Sequence, residues 1–229
     1  MRKSVVVAMD GPSGSGKSST ARGVARELGL RYLDTGAMFR AMTWWMLQHG
    51  VDVDDSAAVA KHADTPVLVS GTDPDAPTIS VDGTDVAGPI RSPEVTTSVS
   101  AVSKVPAVRE RLLEVQREII GDGGIVVEGR DIGTVVAPDA EVKVYLTADP
   151  SARARRRTAE MLTPAAAADR AATESDLLRR DRIDSGRASA PLVMAADAQH
   201  IDTTPYTLEQ VVEQVVTLVR EARGTWSGT

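Results

Sequence analysis

The chain has 229 residues, of which 42% are hydrophobic and 25% are charged, and its formal net charge is −6. The acidic balance and the aromatic content of 3% disfavour a nucleic-acid partner, because such proteins usually need a basic surface or stacking platforms. Cysteine is absent, which excludes disulfides and thiolate metal sites, and no apolar stretch approaches the roughly 18 residues of a membrane span, so we expect a cytoplasmic protein without a membrane partner.

The first elements alternate between strand and helix. Residues 5–9 form a valine-rich apolar run that is typical of a parallel strand covered on both faces. A glycine-rich turn follows, and residues 18–28 then read as a helix that ends before Gly29. A second short strand is predicted at residues 31–33 and a second helix at residues 37–49.

The middle of the chain changes character. Residues 65–89 hold short alternating stretches broken by Gly and Pro, which indicates a small antiparallel insert. Ser92 and Pro93 are typical of a helix start, and another helix is predicted at residues 106–120.

The last part returns to alternating strands and helices. The predicted strands are residues 125–128, 141–147 and 199–202; the predicted helices are residues 151–182, with a break near Thr163 and Pro164, and 208–222; a frayed tail covers residues 224–229. Strands that alternate with helices predict an α/β fold with a central parallel sheet flanked by helices.

A phosphate-binding motif lies between the first strand and the first helix. Its glycines let backbone N–H groups point at phosphate oxygens, and the helix N-terminus favours an anion. Lys17 would reach the β- and γ-phosphates, and the Ser18 hydroxyl is suited to Mg²⁺. The predicted ATP-binding residues are Gly11, Pro12, Ser13, Gly14, Ser15, Gly16, Lys17, Ser18 and Ser19.

The rest of the chain narrows the class of nucleotide-binding protein. It contains no asparagine, so the Asn-Lys-x-Asp base reader of GTPases is absent. Arginines cluster between residues 153 and 187. Transfer of a phosphoryl group to another phosphate needs such cations, because two negative groups must approach each other. A small kinase is therefore the favoured interpretation.

Five segments carry a resemblance to a known family. They are GPSGSGKSS, YLDTGAMFRA, IRSPEVTTSVSAVSKVPAVRE, EGRDIGTVVAPDA and RRDRIDSGRASAPL. In this order they resemble bacterial cytidylate kinases, which are P-loop nucleoside monophosphate kinases. The resemblance implies a P-loop NTPase fold with an inserted antiparallel hairpin subdomain in the monophosphate-binding region and a helical lid. It also implies transfer of a phosphoryl group from ATP to CMP or dCMP.

The resemblance also implies roles for single residues. The implied CMP-binding residues are Thr35, Arg40, Ser100, Arg109, Arg130, Asp131, Arg180, Asp184 and Arg187. The implied catalytic residues are Lys17, Arg130 and Arg187, with Arg153 and Arg157 in the lid. Mg²⁺ is the implied cofactor, with Ser18 as its expected protein ligand.

The implied organisation is a single kinase domain over residues 1–229 that acts as a monomer. Residues 35–120 would form the monophosphate-binding region, with the insert at about residues 65–90. Residues 151–187 would form the lid and its flanking helices, and residues 224–229 a flexible tail.

Several alternatives stay open. Asp131 could cap a helix or pair with Arg130, and Arg109 could form a surface pair with a neighbouring glutamate. Asp34 and Glu128 could orient water molecules on Mg²⁺, or could serve as a helix cap or ion-pair partner. The rival functions are another small P-loop kinase, acting on a different monophosphate or on a metabolite such as shikimate, and a sensor that binds ATP without catalysis.

Overall fold

A computed structural model describes residues 4–159, 170–187 and 189–226. The strands in chain order are β1 (Val6–Asp10), β2 (Arg31–Asp34), β3 (Leu68–Ser70), β4 (Ile79–Val81), β5 (Thr84–Asp85), β6 (Ile125–Gly129), β7 (Val142–Thr147) and β8 (Gln199–Asp202). The helices are α1 (Lys17–Leu28), α2 (Thr35–Gln48), α3 (Ser56–Lys61), α4 (Pro93–Ser103), α5 (Pro106–Ile120), α6 (Pro150–Ala159), α7 (Arg170–Ser185) and α8 (Leu208–Trp226). A 3₁₀ turn covers Pro89–Arg91, and a π-helical turn covers Ile132–Val136.

The central sheet is parallel and has the strand order β2-β6-β1-β7-β8. Its inner strands are apolar because helices cover both faces. On one face α2 packs with three fully buried methionines, Met38, Met42 and Met46, as their helical spacing predicts. On the other face α1 and α8 bury residues such as Val24 and Val215. The predicted α/β class is confirmed.

The predicted antiparallel insert is also confirmed, as a sheet of order β3-β4-β5. Asp82 joins this sheet to α2, because its carboxylate accepts from the Trp45 indole at 2.8 Å and from the Val67 N–H at 2.9 Å. The loop beyond β3 returns to the central sheet, where Thr72 O accepts from Tyr32 N at 2.8 Å. The insert is thus fixed beside both α2 and β2.

Two helices differ from the sequence-based expectation. Helix α3 was not predicted; Asp55 caps it by accepting from the N–H groups of Ala57 and Ala58. Helix α8 continues to Trp226, beyond the predicted end of the last helix at residue 222. Gly224 does not have the positive φ angle with which a glycine commonly ends a helix. The predicted break at residues 163–164 lies outside the described residues.

Within the described part of the chain, no helix combines the length and the apolar character needed to cross a membrane. Over the same residues, no cluster of three or more histidine or carboxylate side chains is placed to hold a metal ion.

Candidate active site

The phosphate-binding loop joins β1, the middle strand of the sheet, to α1. Gly11 has φ +147°, and an added Cβ would lie 2.1 Å from Leu146 O, so only glycine fits between the loop and β7. The loop ends at the N-terminus of α1, whose N-cap residue Gly16 makes no side-chain cap hydrogen bond. The first N–H groups of a helix have no partner within the helix itself. This is the strand, loop and helix arrangement that the motif requires.

Lys17 lies inside this loop. Its ammonium donates to Pro12 O at 2.7 Å, and its side chain is buried. Burial, followed by the positive charge of Arg130, lowers the pKa of Lys17 to about 7. A bound phosphate would oppose this shift because it adds negative charge beside the amine.

Two later helices contact the loop directly. Arg153 on α6 donates to Ser13 O at 3.1 Å and forms a buried ion pair with Asp181 on α7. Asp181 also accepts from Ser13 N at 3.4 Å. The two helices predicted to form the lid, α6 and α7, therefore contact the phosphate loop at Ser13.

A cleft of about 320 Å³ runs from the loop to the ends of α4 and α5. The predicted residues that line it are Ser13, Gly14, Gly16, Lys17, Ser18, Ser19, Thr35, Arg40, Ser100, Arg109, Arg130, Asp131, Arg157, Arg180, Asp184 and Arg187. Four predicted residues are not among those that line it: Gly11, Pro12, Ser15 and Arg153. Phe39, Arg91 and Arg22 also line the cleft, although the sequence did not single them out.

Arg109 and Asp131 form a buried ion pair at the far end of the cleft. Their side chains are 10% and 7% exposed, so Arg109 does not form the alternative surface pair with a glutamate. The Asp131 carboxylate makes no helix-cap hydrogen bond, and its ion-pair partner is Arg109 rather than Arg130. Burial raises the pKa of Asp131, while Arg109 opposes that rise. The Arg109 guanidinium also lies 5.3 Å from the centre of the Phe39 ring.

Asp184 gathers two arginines near the middle of the cleft. It accepts from Arg130 Nε at 3.1 Å and forms a buried ion pair with Arg187. Arg180 is only 7% exposed. Among the described residues, the Nε atoms of Arg180 and Arg187 meet no hydrogen-bond partner. Buried guanidinium groups with unused donors are typical of an anion site.

Thr35 and Arg40 approach the cleft from the start of α2. The Thr35 hydroxyl donates to Glu128 O at 2.7 Å, and Arg40 donates to the Thr96 hydroxyl at 3.0 Å. Burial lowers the pKa of Arg40, and the positive charge of Arg180 lowers it further. A phosphate between these guanidinium groups would relieve their mutual repulsion.

Asp34 is the last residue of β2 and Glu128 the last but one of β6, and the sheet register places them opposite each other. Asp34 caps α2 by accepting from Ala37 N at 2.9 Å, which supports the capping alternative. Glu128 is 4% exposed, and the Ser18 side chain, which lines the same cleft, lowers its pKa. Burial, with the charge of Asp34 beside it, raises the pKa of Glu128 to about 7. The side-chain oxygen atoms of Ser18, Asp34 and Glu128 are of the kind that Mg²⁺ prefers as ligands.

Three important residues were missed by the sequence-based prediction. Asp10 accepts from the N–H groups of Ile132 and Gly133, both at 2.8 Å, and so fixes the turn that follows Asp131. Burial raises the pKa of Asp10 to about 6. Ser103 receives a hydrogen bond from Arg187 at 3.1 Å and, at its carbonyl, one from Arg109 at 3.1 Å. The third is Asp181. Only Asp10, a carboxylate that ends an apolar strand, left a signal in the sequence.

A family profile described as Cytidylate kinase matches residues 7–221. The chain is 58% identical to a cytidylate kinase of Streptomyces avermitilis over 221 residues, covering 96% of this chain and 94% of the relative. It is also 58% identical to a cytidylate kinase of Streptomyces griseus subsp. griseus over 224 residues, covering 97% and 95% of the two chains.

Among solved structures, an uncharacterized protein from Eubacterium ventriosum matches with a TM-score of 0.52 at 10% identity, over 94% of this chain and 98% of that chain. That likeness concerns the fold alone. The family profile and the two Streptomyces relatives span nearly the whole sequence, and the chain belongs to the cytidylate kinase family.

Proposed function

We propose that this chain transfers the γ-phosphoryl group of ATP to CMP or dCMP, giving ADP and CDP or dCDP. The observation that carries the proposal is one continuous cleft with a phosphate-binding loop at one end and the buried Arg109–Asp131 pair at the other. A cluster of arginines lies between these two ends. Membership of the cytidylate kinase family supports the same reaction.

The donor phosphates would lie on the loop of residues 11–19. Backbone N–H groups and the N-terminus of α1 would bind phosphate oxygens, and Lys17 would exchange its contact with Pro12 O for the β- and γ-phosphates. Arg153 and Arg157 come from α6, beside this loop. They are suited to offset charge as the phosphoryl group leaves ADP.

The acceptor would lie toward α4 and α5. The Asp131 carboxylate can accept a hydrogen bond from the amino group of cytosine, while Arg109 and Ser100 can donate to its ring acceptors. Arg180 and Asp184 would hold the pentose. Thr35 lies at the start of α2 beside this region. The acceptor phosphate would lie among Arg40, Arg130 and Arg187.

Phosphoryl transfer to CMP requires positive charge from the protein, and it does not require a general base. The attacking oxygen of CMP is already anionic, so no side chain needs to remove a proton from it. The obstacle is repulsion between the two phosphates, and arginines such as Arg130 and Arg187 reduce it. When bound with ATP, Mg²⁺ would neutralise part of the charge on the donor phosphates. Ser18 would hold it, and Glu128 and Asp34 would orient its water ligands.

Different segments of the chain have different roles in this proposal. Residues 35–120, with the insert at about residues 65–90, form the CMP-binding region, and residues 151–187 close over both nucleotides and exclude water. The enzyme would act as a monomer. On the same proposal the enzyme works in the cytoplasm with ATP and CMP or dCMP as its only partners.

Transfer of a radioactive label tests this proposal. The enzyme is incubated with Mg²⁺, CMP and ATP labelled at the γ-phosphate, and the products are separated. Label in the β-phosphate of CDP is the expected result. Label retained in ATP, despite measurable ATP binding, would indicate a sensor. Label released as inorganic phosphate at the same rate with and without CMP would contradict direct transfer.

A further inference from the structure

Tyr32 is a buried tyrosine that none of the steps above uses. It lies on β2, two residues before Asp34, and is 2% exposed. Its ring packs in the core between the central sheet, α1 and α8. Its hydroxyl donates to Glu128 Oε1 at 2.7 Å, and this hydrogen bond is buried. Burial raises the pKa of Tyr32, so the phenol stays a proton donor.

Packing alone does not explain the hydroxyl. A phenylalanine ring would fill the same volume, and a buried hydroxyl costs free energy unless it is paired. Here the hydroxyl is paired with a carboxylate, and hydrogen bonds to charged groups are among the stronger ones in proteins. The group on which Tyr32 acts is therefore the Glu128 carboxylate, through its Oε1 atom.

Glu128 is held from several directions. Its carbonyl accepts from the Thr35 hydroxyl at 2.7 Å, and its backbone pairs with Met9 on β1 and Asp34 on β2. Its carboxylate lines the cleft together with Ser18, whose side chain lowers the pKa of Glu128. The hydrogen bond from Tyr32 fixes Oε1 and so holds the carboxylate at this part of the cleft.

We propose that Tyr32 is a positioning residue that fixes the Glu128 carboxylate toward Ser18 and the metal–nucleotide complex. This inference rests on the proposed kinase function. Residues that orient the ligands of a metal typically change metal affinity or activity by roughly 10- to 100-fold when they are altered. Tyr32 stands one step behind Glu128, so we expect an effect near the lower limit of that range.

The test is a double-mutant cycle with Tyr32→Phe and Glu128→Gln. Each variant, the double variant and the wild type are titrated with Mn²⁺ in the presence of ADP, with enzyme in excess over ADP, and free Mn²⁺ is followed by its electron paramagnetic resonance signal. Steady-state kcat, KM for CMP and thermal unfolding are measured on the same preparations. Tyr206→Phe removes a phenolic hydroxyl from a side chain that is 43% exposed, and serves as the matched control.

The expected result has three parts. Tyr32→Phe weakens Mn²⁺ binding and lowers kcat, each by roughly tenfold, with little change in KM for CMP. In the Glu128→Gln background the same change has no further effect. Tyr206→Phe behaves as the wild type.

Two outcomes would overturn the proposal. One is a Tyr32→Phe variant with unchanged Mn²⁺ affinity, whatever its unfolding temperature, because Tyr32 would then be a packing residue only. The other is an equal effect in both backgrounds, because Tyr32 would then act without Glu128. Failure of the wild type to use CMP would refute the proposed function instead, and the Mn²⁺ titration would still decide the role of Tyr32.

Discussion

At the scale of single residues, the cleft is defined by charges that the fold has removed from water. A buried ion costs free energy unless it is paired with a group of opposite charge or is hydrogen-bonded. Asp131 meets Arg109, and Asp184 meets Arg130 and Arg187. Arg180 is buried and keeps an unused donor among the described residues. The positive charge exceeds what the carboxylates offset, which suits a site for anionic nucleotides.

Asp131 should control use of the acceptor far more than binding of the donor. We predict that Asp131→Ala raises KM for CMP by roughly 10- to 100-fold, because a hydrogen bond from the base is lost and Arg109 loses its partner. The Kd for ATP should change less than about threefold. Initial rates against CMP concentration and calorimetric titration with ATP measure the two quantities.

Asp64→Ala is the matched control for this prediction. Asp64 also faces an arginine of α5, Arg111, but at 3.9 Å and with a side chain that is 90% exposed. It should leave both constants unchanged. Equal effects of Asp131→Ala on CMP and on ATP would show that Asp131 supports the whole site instead of the acceptor.

Lys17 links ATP binding to pH. Its pKa is lowered to about 7, so above that pH much of the free protein carries a neutral amine. Bound phosphate favours the charged amine and raises its pKa, so binding must take up a proton above pH 7 and none below it. We predict that ATP affinity falls as the pH rises from 7 to 9, by up to about tenfold per unit.

Calorimetry of ATP binding without Mg²⁺ at pH 8, in two buffers of different ionisation enthalpy, measures the proton uptake. Lys17→Met should abolish it, whereas Lys61→Met, at an exposed position, should preserve it. Proton release, or uptake that survives Lys17→Met, would assign the linkage to another group.

At the scale of elements, two helices support the phosphate loop from behind. Helix α1 carries Lys17 and packs on α8, and the close approach is made at Gly23. An added Cβ there would lie 2.6 Å from the Val212 side chain. The position of α1, and hence of the loop before it, depends on this fit between a glycine and a valine.

We predict that Gly23→Ala lowers the free energy of unfolding by about 1–3 kcal/mol, because the added methyl overpacks this contact. In a Val212→Ala background the same change should raise stability by up to about 1 kcal/mol, since alanine is the better helix former. Denaturant unfolding of the four proteins measures both effects.

Gly224→Ala is the control, because Gly224 lies in α8 and, among the described residues outside its own stretch of helix, no atom lies within 4 Å of an added Cβ. It should be neutral or slightly stabilising. If Gly23→Ala lowers the free energy of unfolding equally in the wild type and in the Val212→Ala background, the contact between residues 23 and 212 is not the cause.

How far the elements could be predicted depended on whether the signal was local. The loop at residues 11–18 and the strand before it were predictable, because glycine spacing and an apolar run are local patterns. The methionine stripe of α2 was predictable for the same reason. Helix α3 was missed because its 6 residues are too few for a periodic signal.

The site was less predictable, because its contacts join distant parts of the chain. The resemblance named Asp131 and Arg109, but nothing local indicated that they pair across 22 positions. Ser103, Asp181 and Tyr32 each act through a partner that the fold alone brings near. Asp82, whose carboxylate joins the insert to Trp45, is another such residue.

At the scale of the whole molecule, the parallel sheet places the phosphate loop and the end of β6 side by side. Strand β1 pairs with β6, so Asp10 lies opposite Gly129, just before Arg130 and Asp131. Asp10 then fixes the turn that follows them. The donor end and the acceptor end of the cleft are thereby joined through one strand pair, which suits direct transfer between two bound nucleotides.

The same arrangement predicts which acceptors react. Asp131 can accept from the amino group of cytosine, whereas uracil presents a carbonyl oxygen at that position. Purines need more space next to the Arg109–Asp131 pair. The ribose 2′-hydroxyl contributes less, so CMP and dCMP should both react.

The most direct measurement of the central claim is ADP release by the wild-type protein with ATP and Mg²⁺ against CMP, dCMP, UMP, AMP, GMP and shikimate in parallel. The account predicts strong turnover with CMP and dCMP, weaker turnover with UMP, and little with the purine nucleotides or shikimate. Turnover with shikimate alone would contradict it. So would a failure to turn over with any of these acceptors despite tight ATP binding.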